Sequence, residues 1–330
     1  MVDLLSTLGS KLAERWISLL ALPGALYLAV AVAAHTLGHR HAFAVRQLTV
    51  QVDAWAKAPA AHTLGGQVVL LAAVLAGSAV VGLAAHALGS TVERVYLAAD
   101  WLAWPSPLRR LAGRRVARRQ VRWDAAAGVV RQGLGATIGA AVRNERRPQP
   151  DAAALDAARR AMDRIAAERP VRPTWSGDRI HAAAVRLDRD HHLDLATVWP
   201  ALWLMLPDTA RTEITDARQA LTRATGLYAW ALFYLPLSVW WWPAAPVAAV
   251  LAVIGRIRTR AATETYALLV EAAVRVHAAE LARSLGLDVP ATLTQAVGDA
   301  LTRLLATSPV TPADPTPAGG ATQGIPRSRR

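Results

Sequence analysis

Residues Gly66–Gly89 read GQVVLLAAVLAGSAVVGLAAHALG, 24 positions without an Asp, Glu, Lys or Arg. As a helix this run would be about 36 Å long at 1.5 Å per residue, enough to cross a bilayer core of ~30 Å. A helix that is apolar all round belongs in a protein core or in lipid. The run therefore predicts a transmembrane span, and the rest of the chain is read outward from it. Upstream, Trp16–Ala34 (WISLLALPGALYLAVAVAA) is a second charge-free run. Lys11 and Arg15 before it, and AVA near its end, also fit a signal peptide, but its apolar core exceeds the 7–15 residues usual for one. A membrane anchor is the better reading. Downstream, Gly226–Ile254 (GLYAWALFYLPLSVWWWPAAPVAAVLAVI) is long for one span and slightly short for two. Pro243 and Pro246 break it after Trp240, Trp241 and Trp242. Proline stops helices and tryptophan favours the headgroup level, so a tight hairpin is expected there.

The 330 residues are 53% hydrophobic but only 6% aromatic, with no cysteine and a formal net charge of +13. Disulfides, thiolate nucleophiles, zinc fingers and iron–sulfur clusters are thereby excluded. The positive balance suits nucleic acid or an anionic membrane surface, and the apolar runs favour the membrane. The arginine clusters set the orientation. Lys11 and Arg15 precede the first span, and Arg94 through Arg122 follow the second. Arg223 precedes the third, and Arg256, Arg258 and Arg260 follow the fourth. All of these share one side only if there are two hairpins with both termini in the cytoplasm. The expected fold is thus all-α: an integral protein of the cell inner membrane with two transmembrane helical hairpins and a cytoplasmic helical domain.

The expected units are an N-terminal hairpin (1–89, spans near 16–35 and 66–89), an Arg-rich cytoplasmic domain (90–225) and a second hairpin (226–257). Amphipathic helices packing on the cytoplasmic domain (258–307) and a Pro/Thr/Gly-rich disordered tail (308–330) complete the chain.

The pentamer AHTLG occurs at Ala34–Gly38 and Ala61–Gly65, and AHALG at Ala85–Gly89. No period continues elsewhere, so these are helix ends rather than a repeat, with Gly38 and Gly89 placed as left-handed C-caps. His35, His39, His41 and His62 would gather at the outer mouth of the first hairpin. The i,i+4 spacing of His35 and His39 could hold a metal only if the helix ran on through Gly38.

Between residues 90 and 225 lie 23 arginines and 15 acidic residues. Trp101 and Trp104 can sit at headgroup level. Arg109, Arg110, Arg114, Arg115, Arg118, Arg119 and Arg122 then form a basic helical stripe attracted to anionic lipid headgroups. Nucleic acid is the weaker partner, because no DNA- or RNA-binding module surrounds the stripe. The glycines of Gly133–Gly139 (GLGATIG) do not make a dinucleotide loop, since Ile138 stands where the last glycine belongs. Gly135 and Gly139 instead permit close helix contact, within the chain or between copies. Ser176 is a candidate N-cap with Asp178 in the first turn.

Asp178, His181, Asp188, Asp190, His191, His192 and Asp194 are the only dense set of potential metal ligands, and His181, Asp188, His191 and His192 would be the centre of a metal-dependent hydrolase. Their spacing matches no metallohydrolase motif. Trp199, Trp203 and Leu206 form an apolar patch that is either core or a partner surface. WPALWLMLPDTARTEI (199–214), followed by the Trp-rich hairpin, resembles uncharacterised multi-pass membrane proteins of actinobacterial type. The resemblance covers the C-terminal half and implies no activity. After Arg260 an apolar stripe of Leu269, Val270, Ala273, Val274 and Leu281 ends at Gly286. Asp288 and Pro290 are expected to open another helix carrying Val297, Leu301 and Leu304 on one face. No cofactor is implied. A non-enzymatic membrane scaffold, signalling anchor or effector, acting with a protein partner or a second copy, fits best. A small oligomeric transporter or channel and the metal hydrolase are the alternatives.

Overall fold

A computed structural model describes residues 22–57, 62–142, 152–290 and 293–306, and these are all-helical with no strand. Lys11 and Arg15, the first run up to residue 21, and the 308–330 tail lie outside the described residues. The helices are α1 (Leu22–Leu37), α2 (Val45–Ala56), α3 (Leu64–Leu97), α4 (Ser106–Val142), α5 (Ala152–Ile165), α6 (Trp175–His191), α7 (Leu195–Met205), α8 (Asp208–Leu237), α9 (Ala244–Ser284) and α10 (Gln295–Leu305). Among the described residues α3 is the one helix long and apolar enough to cross a membrane.

The charge-free run becomes a helix because Leu, Ala and Val propagate one readily and Thr63 caps it, its hydroxyl accepting from the Gly66 amide at 3.1 Å. One face of α3 carries Ser78, Gly82, Ala85 and Gly89, all buried. A Cβ on Gly24 of α1 would stand 2.1 Å from the Ser78 carbonyl oxygen, so the two backbones meet there without room for a side chain. Gly89 faces Gly226 and Ala229 of α8 less tightly, a Cβ there standing 3.6 Å from the Gly226 Cα. The first half of the helix is bare on every side, with Val68, Val69 and Leu71 each more than 60% exposed, and Val80 is equally exposed on the face opposite Ser78.

α8 and α9 form an antiparallel hairpin, and α3 and α1 lie against it. Tyr27 of α1 sits among Trp230, Phe233 and Tyr234, with its hydroxyl donating to the Phe233 carbonyl at 3.2 Å. The two turns meet at one end. His39 Nδ1 lies 2.7 Å from the Trp240 carbonyl, Trp241 Nε1 donates to the Ala42 carbonyl at 3.0 Å, and Phe43 packs edge-on against Trp242.

α9 has 41 residues and continues past the hairpin. Its second half runs beside α6 with an ion-pair ladder at a constant sequence offset: Arg179–Glu264 at 2.7 Å, Arg186–Glu271 at 3.4 Å and Arg275–Asp190 at 2.8 Å. The rungs recur at seven and four residues, which a parallel pair of helices requires. Below them Leu187, Val198, Leu202, Val274, Leu281 and Leu301 form the main core. Leu206 packs with Ile214, Val270 and Ala273, and Trp199, Trp203 and Leu269 close over it. The Trp patch and the apolar stripe of α9 thus face each other.

Several local expectations are corrected. Gly38 ends α1 at φ +58°, but Gly89 lies inside α3, which runs eight residues further to a left-handed cap at Ala98. Ser90 and Thr91 are accommodated within it, their hydroxyls donating to the Ala87 carbonyl. Thr174, not Ser176, caps α6 through the Gly177 amide. The last helix opens at Gln295 rather than at Asp288 and Pro290, and Leu304 is exposed while Leu301 is buried. Among the described residues the close contact is made by Gly133, against Leu155, and no neighbour lies within 4 Å of where a Cβ would stand at Gly135; the surroundings of Gly139 lie outside the described residues.

The Gly24–Ser78 contact yields a test. Gly24→Ala is expected to destabilise the detergent-solubilised protein by roughly 1–3 kcal/mol, the usual range for overpacking. Gly65→Ala, in open space on α3, is expected to leave the melting temperature unchanged or slightly higher, as alanine favours helix over glycine.

Candidate functional site

The arginine run lies on the first half of α4, a single helix of 37 residues entered through a short 3₁₀ turn, Trp101–Ala103. Its arginines divide by environment. Arg119 points inward and is withdrawn from the lipid-facing set: its guanidinium donates to the carbonyls of Ile165 (2.5 Å), Arg172 (2.6 Å) and Thr174 (2.9 Å), and pairs with Asp178 at 2.5 Å. Three backbone acceptors and one carboxylate around one side chain explain why the loop 165–174 closes on α4. Trp101 is likewise turned toward the protein, its indole N–H donating to the Val171 carbonyl at 3.1 Å.

Asp178 is the other half of this clamp. One carboxylate oxygen accepts from the amides of Val171 and Arg172 at 2.9 and 2.7 Å, and the other faces Arg119. Burial pushes the Asp178 carboxyl up and the Arg119 guanidinium down, and their mutual attraction opposes both shifts. The clamp also receives the end of α3. Thr174 Oγ1 donates to the Tyr96 carbonyl at 2.6 Å and Arg172 to the Leu97 carbonyl at 3.4 Å, satisfying carbonyls that a helix C-terminus leaves open. Gly177 permits this approach, since a Cβ there would stand 2.4 Å from the Leu97 oxygen.

Beside the clamp lies a groove of about 830 Å³, walled by the end of α3, the first half of α4, the end of α5, the start of α6 and the middle of α9. Arg114, Arg115, Arg118 and Arg122 enter from α4, Arg164 from α5, and Arg256 and Arg260 from α9. Among the described residues none of these seven has a carboxylate at ion-pair distance. Arg260 stacks on the Trp175 ring at 4.7 Å and donates to the Arg164 carbonyl at 3.1 Å. Burial, and then the charge of Arg256, lower its pKa. Trp104 and Tyr96 complete the wall, whereas Arg109 and Arg110 lie outside it. Sequence reasoning placed the α4 arginines and Trp104 but missed Arg164, Arg256, Arg260, Trp175 and Ser176 as their neighbours. Their signal was only that arginines recur before and after the hairpin; the fold brings them together across some 140 residues of chain.

The histidines do not assemble into a metal site: among the described residues no group of three or more His, Asp or Glu could hold an ion. His181 stands ten positions before His191, about 15 Å along one helix. Asp188 is exposed, and its carbonyl accepts the amide of His192, which caps α6 at φ +50°. His192 Nδ1 lies 3.3 Å from an Asp299 oxygen, and Gly298 is packed against the His191 carbonyl. DRDHHLD is the joint on which α10 docks. At the turns, His35 is exposed on α1, His39 is engaged by the Trp240 carbonyl, His41 is exposed, and His62 precedes the Thr63 cap. The turn at Gly38 separates His35 from His39 as helix-face neighbours.

No protein-family model, curated protein or solved structure matches the chain.

The clamp carries its own test. Arg119→Ala and Asp178→Ala are each expected to destabilise the protein by ~3–5 kcal/mol, since each strands a buried charge. The double variant is expected to lose less than the sum, because the second change removes the stranded partner. Thermal unfolding of the full-length protein in detergent measures all three.

Proposed function

We propose that this chain is a multi-pass protein of the bacterial inner membrane, a non-enzymatic scaffold or effector anchor whose helical domain is held against anionic headgroups by α4. The observation that carries the reading is the division of surfaces along α3. Its upper half is apolar and exposed all round, whereas its lower end docks into an arginine-walled clamp. Water is a poor solvent for the first surface and acyl chains for the second, so a bilayer boundary between them suits both.

On this reading α1 and α3 make one hairpin and the facing parts of α8 and α9 the other. The meeting of both turns at one end supports it. So do the small residues where α1, α3 and α8 touch, since helices in lipid associate by close packing. The apolar stretches 226–237 and 244–255 measure only about 18 Å each as helix. The second hairpin therefore dips into the bilayer beside α3, with Trp240 and Trp242 near the far headgroups. Arg40, Arg46 and Lys57 lie at the turn end, far fewer than the arginines at the other, which agrees with cytoplasmic termini. A place among the actinobacterial-type membrane proteins suggested by residues 199–214 belongs to the same proposal. The Trp199–Trp203 patch serves as core in it, because Leu206 and Val270 lie beneath.

Because the chain has no cysteine, topology can be read without background. Trp55→Cys and Val239→Cys, both exposed at the turn end, are expected to react with a membrane-impermeant thiol reagent on intact cells. Asp156→Cys on α5, also exposed, is expected to react only after the membrane is opened. Labelling of position 156 on intact cells, with 55 and 239 protected, would reverse the orientation.

A further inference from the structure

The arginine groove is more than a charged surface. A flat basic face attracts any anionic membrane, but this one is concave, and its charges come from α4, α5 and α9 rather than from one helix. Its lining includes Ser176, fully buried, whose hydroxyl has no hydrogen-bond partner among the described residues. A buried hydroxyl without a partner costs free energy unless something completes it. Ser176 lies in the first turn of α6, a 17-residue helix, where backbone amides and the helix dipole also favour an anion. The carboxylates nearby do not fill the role. Asp178 has both oxygens engaged by the clamp, and Asp163 lines not the groove but an adjoining recess that shares Arg164, Trp175 and Arg260 with it.

The groove also has an apolar lip. Val95, Leu108 and Leu111 line it while remaining 48%, 52% and 61% exposed. Val95 belongs to α3 itself, so the lip adjoins the helix that the proposed function places in lipid. Guanidinium groups match phosphate oxygens well, and a single phosphodiester would leave most of this charge unanswered.

We propose that the groove is a binding site for one phospholipid whose headgroup carries two phosphates, of the diphosphatidylglycerol class. Arg118, Arg164 and Arg256 hold the phosphates, Ser176 donates to a phosphate oxygen, and the acyl chains leave along Val95, Leu108 and Leu111. This rests on the membrane reading above and adds a specific ligand to it.

The test uses the full-length protein in neutral detergent, titrated with diphosphatidylglycerol and followed by native mass spectrometry. Two double variants remove equal charge: Arg118→Gln with Arg256→Gln inside the groove, and Arg109→Gln with Arg110→Gln outside it on the same helix. The groove pair is expected to weaken binding by roughly tenfold or more, and the outer pair several-fold less. Ser176→Ala, which removes one hydroxyl without adding bulk, is expected to weaken it measurably with an unchanged melting temperature. Phosphatidylglycerol at equal total phosphate is expected to bind less tightly, and inorganic pyrophosphate not to displace the lipid. Equal losses from both pairs would overturn the groove and leave general surface attraction, with the membrane reading intact. No loss from the groove pair or from Ser176→Ala would overturn it as well. Displacement by pyrophosphate at matching concentration would assign the site to a soluble diphosphate instead. Cysteine labelling tests the membrane reading separately, so the two failures are distinguishable.

Discussion

No side chain fits between Gly24 and Ser78, and the arrangement of the apolar helices depends on that contact. A Cβ on Gly24 would overlap the Ser78 carbonyl oxygen, so α1 and α3 approach backbone to backbone. The same face of α3 then meets α8 at Gly89 and Gly226. With its small residues committed inward, α3 turns Val80 outward on the far face, and its first half, around Val68, Val69 and Leu71, is exposed on every side. The exposed apolar surface is thus the far face beside the packed segment and the whole girth before it. Nothing in the described chain covers it, and on the proposed reading acyl chains do.

The lower end follows from the same helix. α3 continues past Gly89, so its last carbonyls reach Thr174 and Arg172, and the start of α6 is fixed beneath it. α9 descends from the hairpin alongside, bringing Arg256 and Arg260 to the same level before its second half joins α6 through the ion-pair ladder. α4 closes the third side because Arg119 gathers the carbonyls of the 165–174 loop. The groove is what remains between five helices, each placed for another reason. Among the described residues its arginines have no carboxylate at ion-pair distance, since Asp178 is held in the clamp and Asp190, Glu264 and Glu271 in the ladder.

The helical class and the main apolar run were legible because they rest on composition over many residues: 24 positions without charge leave little choice. The facing of the Trp patch and the α9 stripe could also be read, since two apolar faces tethered close to one hairpin need a common partner. What escaped depends on single residues in context. Gly89 looks like a helix end in AHALG, yet Ser90 and Thr91 return hydrogen bonds to Ala87 and the helix runs on. Ser176 and Thr174 are both good caps by type, and only the position of the α3 terminus decides between them. Arg119 is one of seven neighbouring arginines, and no pattern distinguishes the one that faces three carbonyls. Of the candidate site, the α4 side was readable as a stripe, but its α5 and α9 walls required the fold.

The account stands on one arrangement: two hairpins side by side with their turns at the same end and the arginines at the other. Cross-linking of paired cysteines in native membranes with a short bis-maleimide tests it directly. Phe43→Cys with Trp242→Cys replaces two residues whose rings are in contact, 5.6 Å apart, and is expected to cross-link readily. Phe43→Cys with Arg256→Cys, placed at opposite ends of the bundle, is expected not to. Cross-linking of the second pair and not the first would contradict the arrangement.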